Sequence, residues 1–195
     1  MFGLYHVDFN YLEFLHSEDP EVVFKKEYQN KYKPFVGIIF HKNNTHYFIP
    51  LTSAKEKYKY TPLKSKTHLT IFETTSDSYM KRFPHKYYRK NQKGEDIVLI
   101  SVLQYNKIIP VPEHCFSQID ISQIENMSYR NMMLKEYRFC ISHQQDIIRR
   151  GKAIIDEIKS GKPIRFACNL KHLETQMRQY KSINSRSDRI ITHSD

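Results

Sequence analysis

Apolar and polar positions alternate from the start of the chain. LYHV, 4–7, reads as a short first strand. Asp8 stands where a helix cap belongs, and Phe9, Leu12 and Leu15 fall on one side of a helix running through about 15. HSEDPEVVFKKEYQNKY, 16–32, is polar and mixed and reads as a loop. FVGIIFH, 35–41, and THYFIPL, 45–51, are β-rich runs flanking Lys42-Asn43-Asn44. Asparagine tolerates the positive φ of a tight turn, so the two runs predict a hairpin. HLTIFE, 68–73, is a further strand, and the apolar run DIVLISVLQ, 96–104, predicts a fully buried central one. KIIPV, 107–111, contains Pro110, which suits an edge or a strand end. IDI, 119–121, adds a short piece.

From Ser128 the period changes. Tyr129, Met132, Met133, Tyr137, Cys140, Ile141, Ile147, Ile148, Gly151, Ile154, Ile155 and Ile158 recur in steps of three and four. They define one face of a single long helix, which Ser160-Gly161-Lys162-Pro163 ends. Gly151 on that face implies close packing or a kink. Leu170, Leu173, Met177 and Tyr180 predict a last helix over about 168–180. The polar stretch 182–195 reads as a disordered tail, leaving 1–181 as one domain. Hairpins come first and helices second, without βαβ alternation. That order predicts an α+β fold on an antiparallel sheet.

Composition adds a partner class. Hydrophobic residues are only 39% of the chain, and aromatics at 13% partly compensate, so the reading is a globular protein with a tyrosine-rich surface. The net charge of +10 attracts polyanions, nucleic acid first and anionic membrane second. Two segments interleave cations with rings. The first holds Lys55, Lys57, Lys59, Lys64 and Lys66 with Tyr58 and Tyr60. The second holds Lys81, Arg82, Lys86, Arg89, Lys90 and Lys93 with Tyr79, Phe83, Tyr87 and Tyr88. Lys31 and Tyr32, upstream, join the candidate RNA contacts. Cations neutralise phosphates and rings stack on unpaired bases, a mixture that fits single-stranded or irregular RNA better than duplex. The plain alternative is a pair of solvated loops whose tyrosines pack locally.

Cys115, Cys140 and Cys168 lie far apart, which excludes zinc-finger spacing. With no secretory leader, they point to a reducing cytoplasm. No run approaches the roughly 20 apolar residues of a membrane span. Ten histidines are scattered without ligand spacing, so neither a metal nor another cofactor is expected.

The candidate chemistry lies in IPLTSAKEKYKY, 49–60, where Thr52 and Ser53 are followed by Lys55. Taken alone, this is a hydroxyl-rich turn beside a surface lysine. Its context is more specific. Lys33-Pro34-Phe35-Val36-Gly37-Ile38 opens the strand before it, and Pro50-Leu51-Thr52-Ser53-Ala54-Lys55 closes the paired strand. Tyr5-x-Val7-Asp8 with Tyr11 and Leu15 precedes them. Ile109-Pro110-Val111-Pro112, Ile119-Asp120-Ile121, Tyr129 with Leu134, Glu136 and Tyr137, and Cys168-x-Leu170-x-x-Leu173-Glu174 follow in order. Over roughly 5–180 this ordered set resembles the type III toxin–antitoxin endoribonucleases, the ToxN/AbiQ family.

The resemblance implies a strongly twisted antiparallel sheet wrapped by helices, similar to the MazF/Kid ribonuclease toxins. It implies metal-free cleavage of RNA to a 2′,3′-cyclic phosphate and a 5′-hydroxyl. It also implies a partner RNA, a repeated pseudoknot that fills the groove and assembles the toxins into closed rings. Carried over, the active-site positions are Lys33, Thr52, Ser53 and Lys55. The family's tyrosine position falls on Gln29; Tyr28 lies one residue away, and Tyr32 is the other candidate. Three rival readings have different chemistry. Ser53 with a lysine could form an acylating dyad, but no nucleophile elbow surrounds it. The basic-aromatic segments equally fit a non-catalytic RNA- or DNA-binding module. The histidines could serve acid–base or metal chemistry.

Overall fold

The computed structural model describes residues 2–26, 35–42, 45–62 and 65–191. The elements are β1 (Gly3–Val7), α1 (Phe9–Glu18), β2 (Phe35–Lys42), β3 (Thr45–Ser53), β4 (His68–Thr74), α2 (Asp77–Arg82), β5 (Tyr88–Lys90), β6 (Asp96–Gln104), β7 (Ile109–Val111), β8 (Phe116–Gln118), α3 (Met127–Ser142), α4 (Gln144–Lys159) and α5 (Leu170–Ile191). The strand order is β4-β6-β3-β2-β1-β8, with β5 on β6 and β7 on β3, and every pairing among the described residues is antiparallel. The architecture is the α+β class that the order of strands and helices predicts.

β3 organises the molecule. Its first half pairs with β7, and its far end leaves that partner to pair with β6, through Leu51↔Leu103, Thr52↔Val102 and Ser53↔Ser101. Alternation along the strand divides the core. Tyr47, Ile49 and Leu51 face a cluster shared with Leu4, Met133, Cys140, Ile154 and Ile155, under α3 and α4. Phe48 faces the opposite cluster with Tyr5, Tyr11, Leu15, Leu173 and Met177, under α1 and α5. A polar triad ties β3 to two helices: Tyr47 donates to Glu174 at 2.5 Å, and Lys159 reaches the Tyr47 hydroxyl at 2.7 Å and Glu174 at 2.6 Å.

Gly37 is required by packing. A Cβ there would lie 2.5 Å from Cε2 and 2.7 Å from Cδ2 of Tyr5. That ring cannot step aside, because Phe48 and Phe116 meet it edge-on at 5.4 and 5.5 Å. Gly37→Ala is therefore expected to destabilise the fold by about 1–3 kcal/mol through overpacking. Urea unfolding tests this: a variant as stable as the wild type would show that the ring relaxes freely.

Several expectations are corrected. The single long helix is two, broken at His143 (φ −111°, ψ 16°). The Ser142 hydroxyl donates to the Phe139 carbonyl at 2.9 Å, and the His143 ring stacks on Phe139 at 4.1 Å. A side chain competing for a backbone carbonyl weakens the helical ladder there. Cys140 and Ile147 lie seven residues apart, so the apolar stripe runs on in phase across the break. α1 buries Tyr11 with Leu15, because the Tyr11 hydroxyl donates to the Pro110 carbonyl at 2.7 Å; Phe9 and Leu12 are only half-buried. The short strand falls at Phe116–Gln118, not at 119–121, where Asp120 caps the amide of Ser122 at 2.9 Å and starts a helical turn. α5 continues to Ile191, beyond the expected end near 180. Each residue added to a seated helix gains a backbone hydrogen bond, so it propagates past its packed half. α2 and β5 occupy a stretch read only as basic and aromatic. No helix among the described residues is long and apolar enough to cross a membrane.

Candidate active site

The far end of β3 opens onto a groove of about 890 Å³. Thr52 is buried against the sheet, while Ser53 and Lys55 are exposed at its rim. A single 3-10 turn, Glu56–Tyr58, follows, closed by the Tyr58 amide on the Lys55 carbonyl at 3.0 Å. Tyr58 anchors it: the ring is buried and its hydroxyl accepts from Gln104 Nε2 at 2.8 Å. Lys57 stays exposed, with Nζ 4.9 Å from the centre of the Tyr58 ring. The turn thus places Lys55 and Lys57 beside Thr52 and Ser53 in the groove lining.

The other walls come from distant parts of the chain. Residues 20–25, after α1, supply Val22, Val23, Phe24 and Lys25. α3 supplies Asn126, Tyr129, Met132 and Glu136, its start fixed by the Asn126 side chain accepting from the Tyr129 amide at 2.9 Å. Lys107 pairs with Glu21 at the edge. The cations are felt nearby. His68 is held below its ordinary value, first by burial and then by Lys57 and Lys107, so it stays neutral at pH 7.

Glu136 is the unexpected member. It is 3% exposed, and burial pushes its carboxyl up to about 7, against a smaller downward pull from the Ser101 hydroxyl. Tyr129, beside it, is pushed up to about 12 by burial and then by Glu136. No group of three or more His, Cys, Asp or Glu side chains suited to a metal occurs among the described residues.

The structure therefore brings Thr52, Ser53, Lys55, Lys57 and Tyr58 to one groove. Lys33, Tyr28, Lys31, Tyr32 and Lys64 lie outside the described residues. The other basic-aromatic candidates are elsewhere, and several have partners. Arg89 donates to the carbonyls of Lys59 and Thr61 at 3.2 and 3.0 Å and covers the Phe72 ring. Lys66 pairs with Glu157, Lys90 with Asp96, Lys86 with the Tyr79 hydroxyl, and the Tyr88 hydroxyl with the Phe83 carbonyl. Lys59 lies over Tyr60, Tyr87 packs on the Leu99 cluster, and Lys81 and Arg82 are exposed in the last turn of α2. The sequence reading missed Lys107, Gln104, Asn126 and Glu136 as groove residues. A glutamate between Met133 and Cys140 on an apolar helix face was the available signal.

The chain is similar to known proteins over most of its length. The sequence profile of the family described as Toxin ToxN, type III toxin–antitoxin system, matches residues 3–178. An endoribonuclease ToxN of Bacillus thuringiensis subsp. kurstaki is 26% identical over 189 residues, covering 92% of this chain and 84% of that protein. An endoribonuclease AbiQ of Lactococcus lactis subsp. lactis is 24% identical over 173 residues, covering 87% and 84%. A solved type III toxin–antitoxin structure, concerned with selective toxin inhibition by a non-coding RNA pseudoknot, superposes with a TM-score of 0.69 at 24% identity, over 92% of this chain and 98% of that one. The structure of AbiQ, a lactococcal anti-phage endoribonuclease, superposes with a TM-score of 0.68 at 23% identity, over 93% and 99%.

Proposed function

The chain belongs to the ToxN family of type III toxin–antitoxin toxins, and on that premise we propose that it cuts single-stranded RNA at the groove beside Ser53 and Lys55. One observation carries the reading. Thr52, Ser53, Lys55 and Lys57 line a single groove, in a chain similar to named endoribonucleases.

RNA brings its own nucleophile, the ribose 2′-hydroxyl. The protein must help remove that proton, stabilise charge on the phosphorane and protonate the departing 5′-oxygen. Ser53 and Lys55 hold the scissile phosphate, with Thr52 donating or supporting the turn. Lys33, two positions before Phe35 in sequence, stabilises charge or moves a proton; Tyr28, or Tyr32, completes the site. The products are a 2′,3′-cyclic phosphate and a 5′-hydroxyl, and no divalent ion takes part. Lys31, Lys57, Tyr58, Lys59, Lys64, Lys66, Lys81, Arg82, Lys86, Tyr87, Tyr88, Arg89 and Lys90 supply the field and surface that the RNA follows. The antitoxin is an RNA of repeated pseudoknots, which the toxin processes and which blocks its groove in a closed ring-shaped assembly. The target is messenger RNA in the cytoplasm, and the setting is phage defence.

The test is an end-labelled single-stranded RNA incubated with the protein in excess chelator. Scission leaving 5′-hydroxyl ends, suppressed by an RNA of repeated pseudoknots, is the expected result. Tight, salt-dependent binding without scission would replace this reading with that of a non-catalytic RNA-binding module.

A further inference from the structure

We propose that Glu136 and Ser101 extend the active site as a hydroxyl relay, in which Ser53 passes the ribose 2′ proton through Ser101 to Glu136. The proposal rests on the ribonuclease reading above.

Three observations carry it. Ser53 and Ser101 are direct partners across the β3–β6 ladder. Directly opposite residues point to one face, with Cβ atoms about 4.5–5.5 Å apart. Ser101 lies in turn against the Glu136 carboxyl. The Ser101 hydroxyl and Glu136 Oε2 are both fully buried, and neither has a well-formed hydrogen bond among the described residues. Two adjacent buried groups without good partners are costly and call for an explanation. Ser101 adjoins the groove wall through its pairing with Ser53, and Glu136 is part of the same groove lining. An ordinary lysine, with a pKa near 10.4, is a poor base at neutral pH, so Ser53 and Lys55 by themselves do not supply a proton acceptor. A carboxyl titrating at about 7 matches that task.

The groups around Glu136 leave this assignment intact. Tyr129 and Cys140, on its own helix, are themselves pushed up by burial and by Glu136. β6 presents the neutral Ser101, and the Ile121–Gln123 turn carries no charge. β1 brings His6, held below its ordinary value by burial. Of the charges of α4, Asp146, Arg149 and Arg150 act on Tyr105. Across the groove stand Lys25, Lys55, Lys57 and Lys107, with Glu21 and His16.

The balance of the step is closed. The 2′-oxygen–phosphorus bond forms as the phosphorus–5′-oxygen bond breaks. The 2′ proton moves to Ser53, that of Ser53 to Ser101, and that of Ser101 to ionised Glu136. The departing 5′-oxygen takes a proton from Lys55, and solvent restores both end groups. Glu136 is a positioning and proton-holding residue; it lines the groove but is only 3% exposed, and it acts through Ser101.

Single-turnover cleavage from pH 5 to 9, with affinity measured on a strand carrying 2′-deoxyribose at the cut, tests the relay. Wild-type cleavage rises with pH through an inflection near 7. Glu136→Gln and Ser101→Ala lower it about 100-fold and remove the inflection while affinity stays unchanged, and Ser101→Thr recovers most of the rate. A Glu136→Gln protein with wild-type rate and inflection, alongside an inactive Ser53→Ala, overturns the relay and leaves the ribonuclease standing. A loss of cleavage matched by an equal loss of affinity also counts against the relay. Full cleavage by both Ser53→Ala and Lys55→Ala overturns the ribonuclease site itself, and the relay with it.

Discussion

Lys55→Ala is expected to lower RNA cleavage about 100-fold or more, and Ser53→Ala to do the same. One donor aimed at charge that develops in the transition state is commonly worth about 2.7–4 kcal/mol. Both side chains are exposed at the groove, beyond the packed part of β3. Truncating them leaves Tyr58 and its bond from Gln104 in place, so the turn and the fold survive. Thermal midpoints should therefore stay at the wild-type value while cleavage falls. The loss should appear equally in kcat and kcat/KM, because the contact tightens as charge builds. Unchanged cleavage in both variants would remove the site.

Glu136→Gln is expected to stabilise the protein at pH 8 by roughly 3 kcal/mol. The carboxyl titrates at about 7 in the fold against an ordinary value of 4.5. The folded state thus holds its proton more tightly than the unfolded chain. The stability this gives is fully present below about 4.5 and is lost as pH rises through 7. Above 7 the fold carries a buried carboxylate in full, and glutamine removes that burden at the same volume. Urea unfolding at pH 8 and pH 4.5 checks the sign: the variant leads at pH 8 and the lead vanishes at pH 4.5. Equal stability at both would mean that the carboxyl is better solvated than its 3% exposure indicates. A residue that weakens the fold where it is ionised is the kind that function retains.

Much of this architecture could be read from local pattern. The hairpin of β2 and β3 and the buried strand β6 follow from short-range alternation and an apolar run, signals that tertiary context rarely overrides. The helix break at His143 is hidden, because the apolar stripe passes through it in phase. α2 and β5 are hidden for another reason. Tyr79, Phe83, Lys86 and Tyr88 satisfy one another locally, and that economy looks in sequence like a surface built for RNA. At the site, Thr52, Ser53 and Lys55 were legible because they are neighbours in the chain. Ser101 and Glu136 reach the same place only through the non-local β3–β6 register and the seating of α3, which no short window contains. The wall formed by residues 20–25 reads as featureless loop for the same reason.

The most direct measurement uses one RNA strand in two forms, identical except for a single 2′-deoxyribose at the nucleotide whose hydroxyl attacks, each incubated with the protein in excess chelator. The all-ribose strand should be cut to a 2′,3′-cyclic end at an undiminished rate, and the substituted strand should bind equally well and stay whole. Scission of the substituted strand at that bond would contradict internal attack by the ribose at this groove.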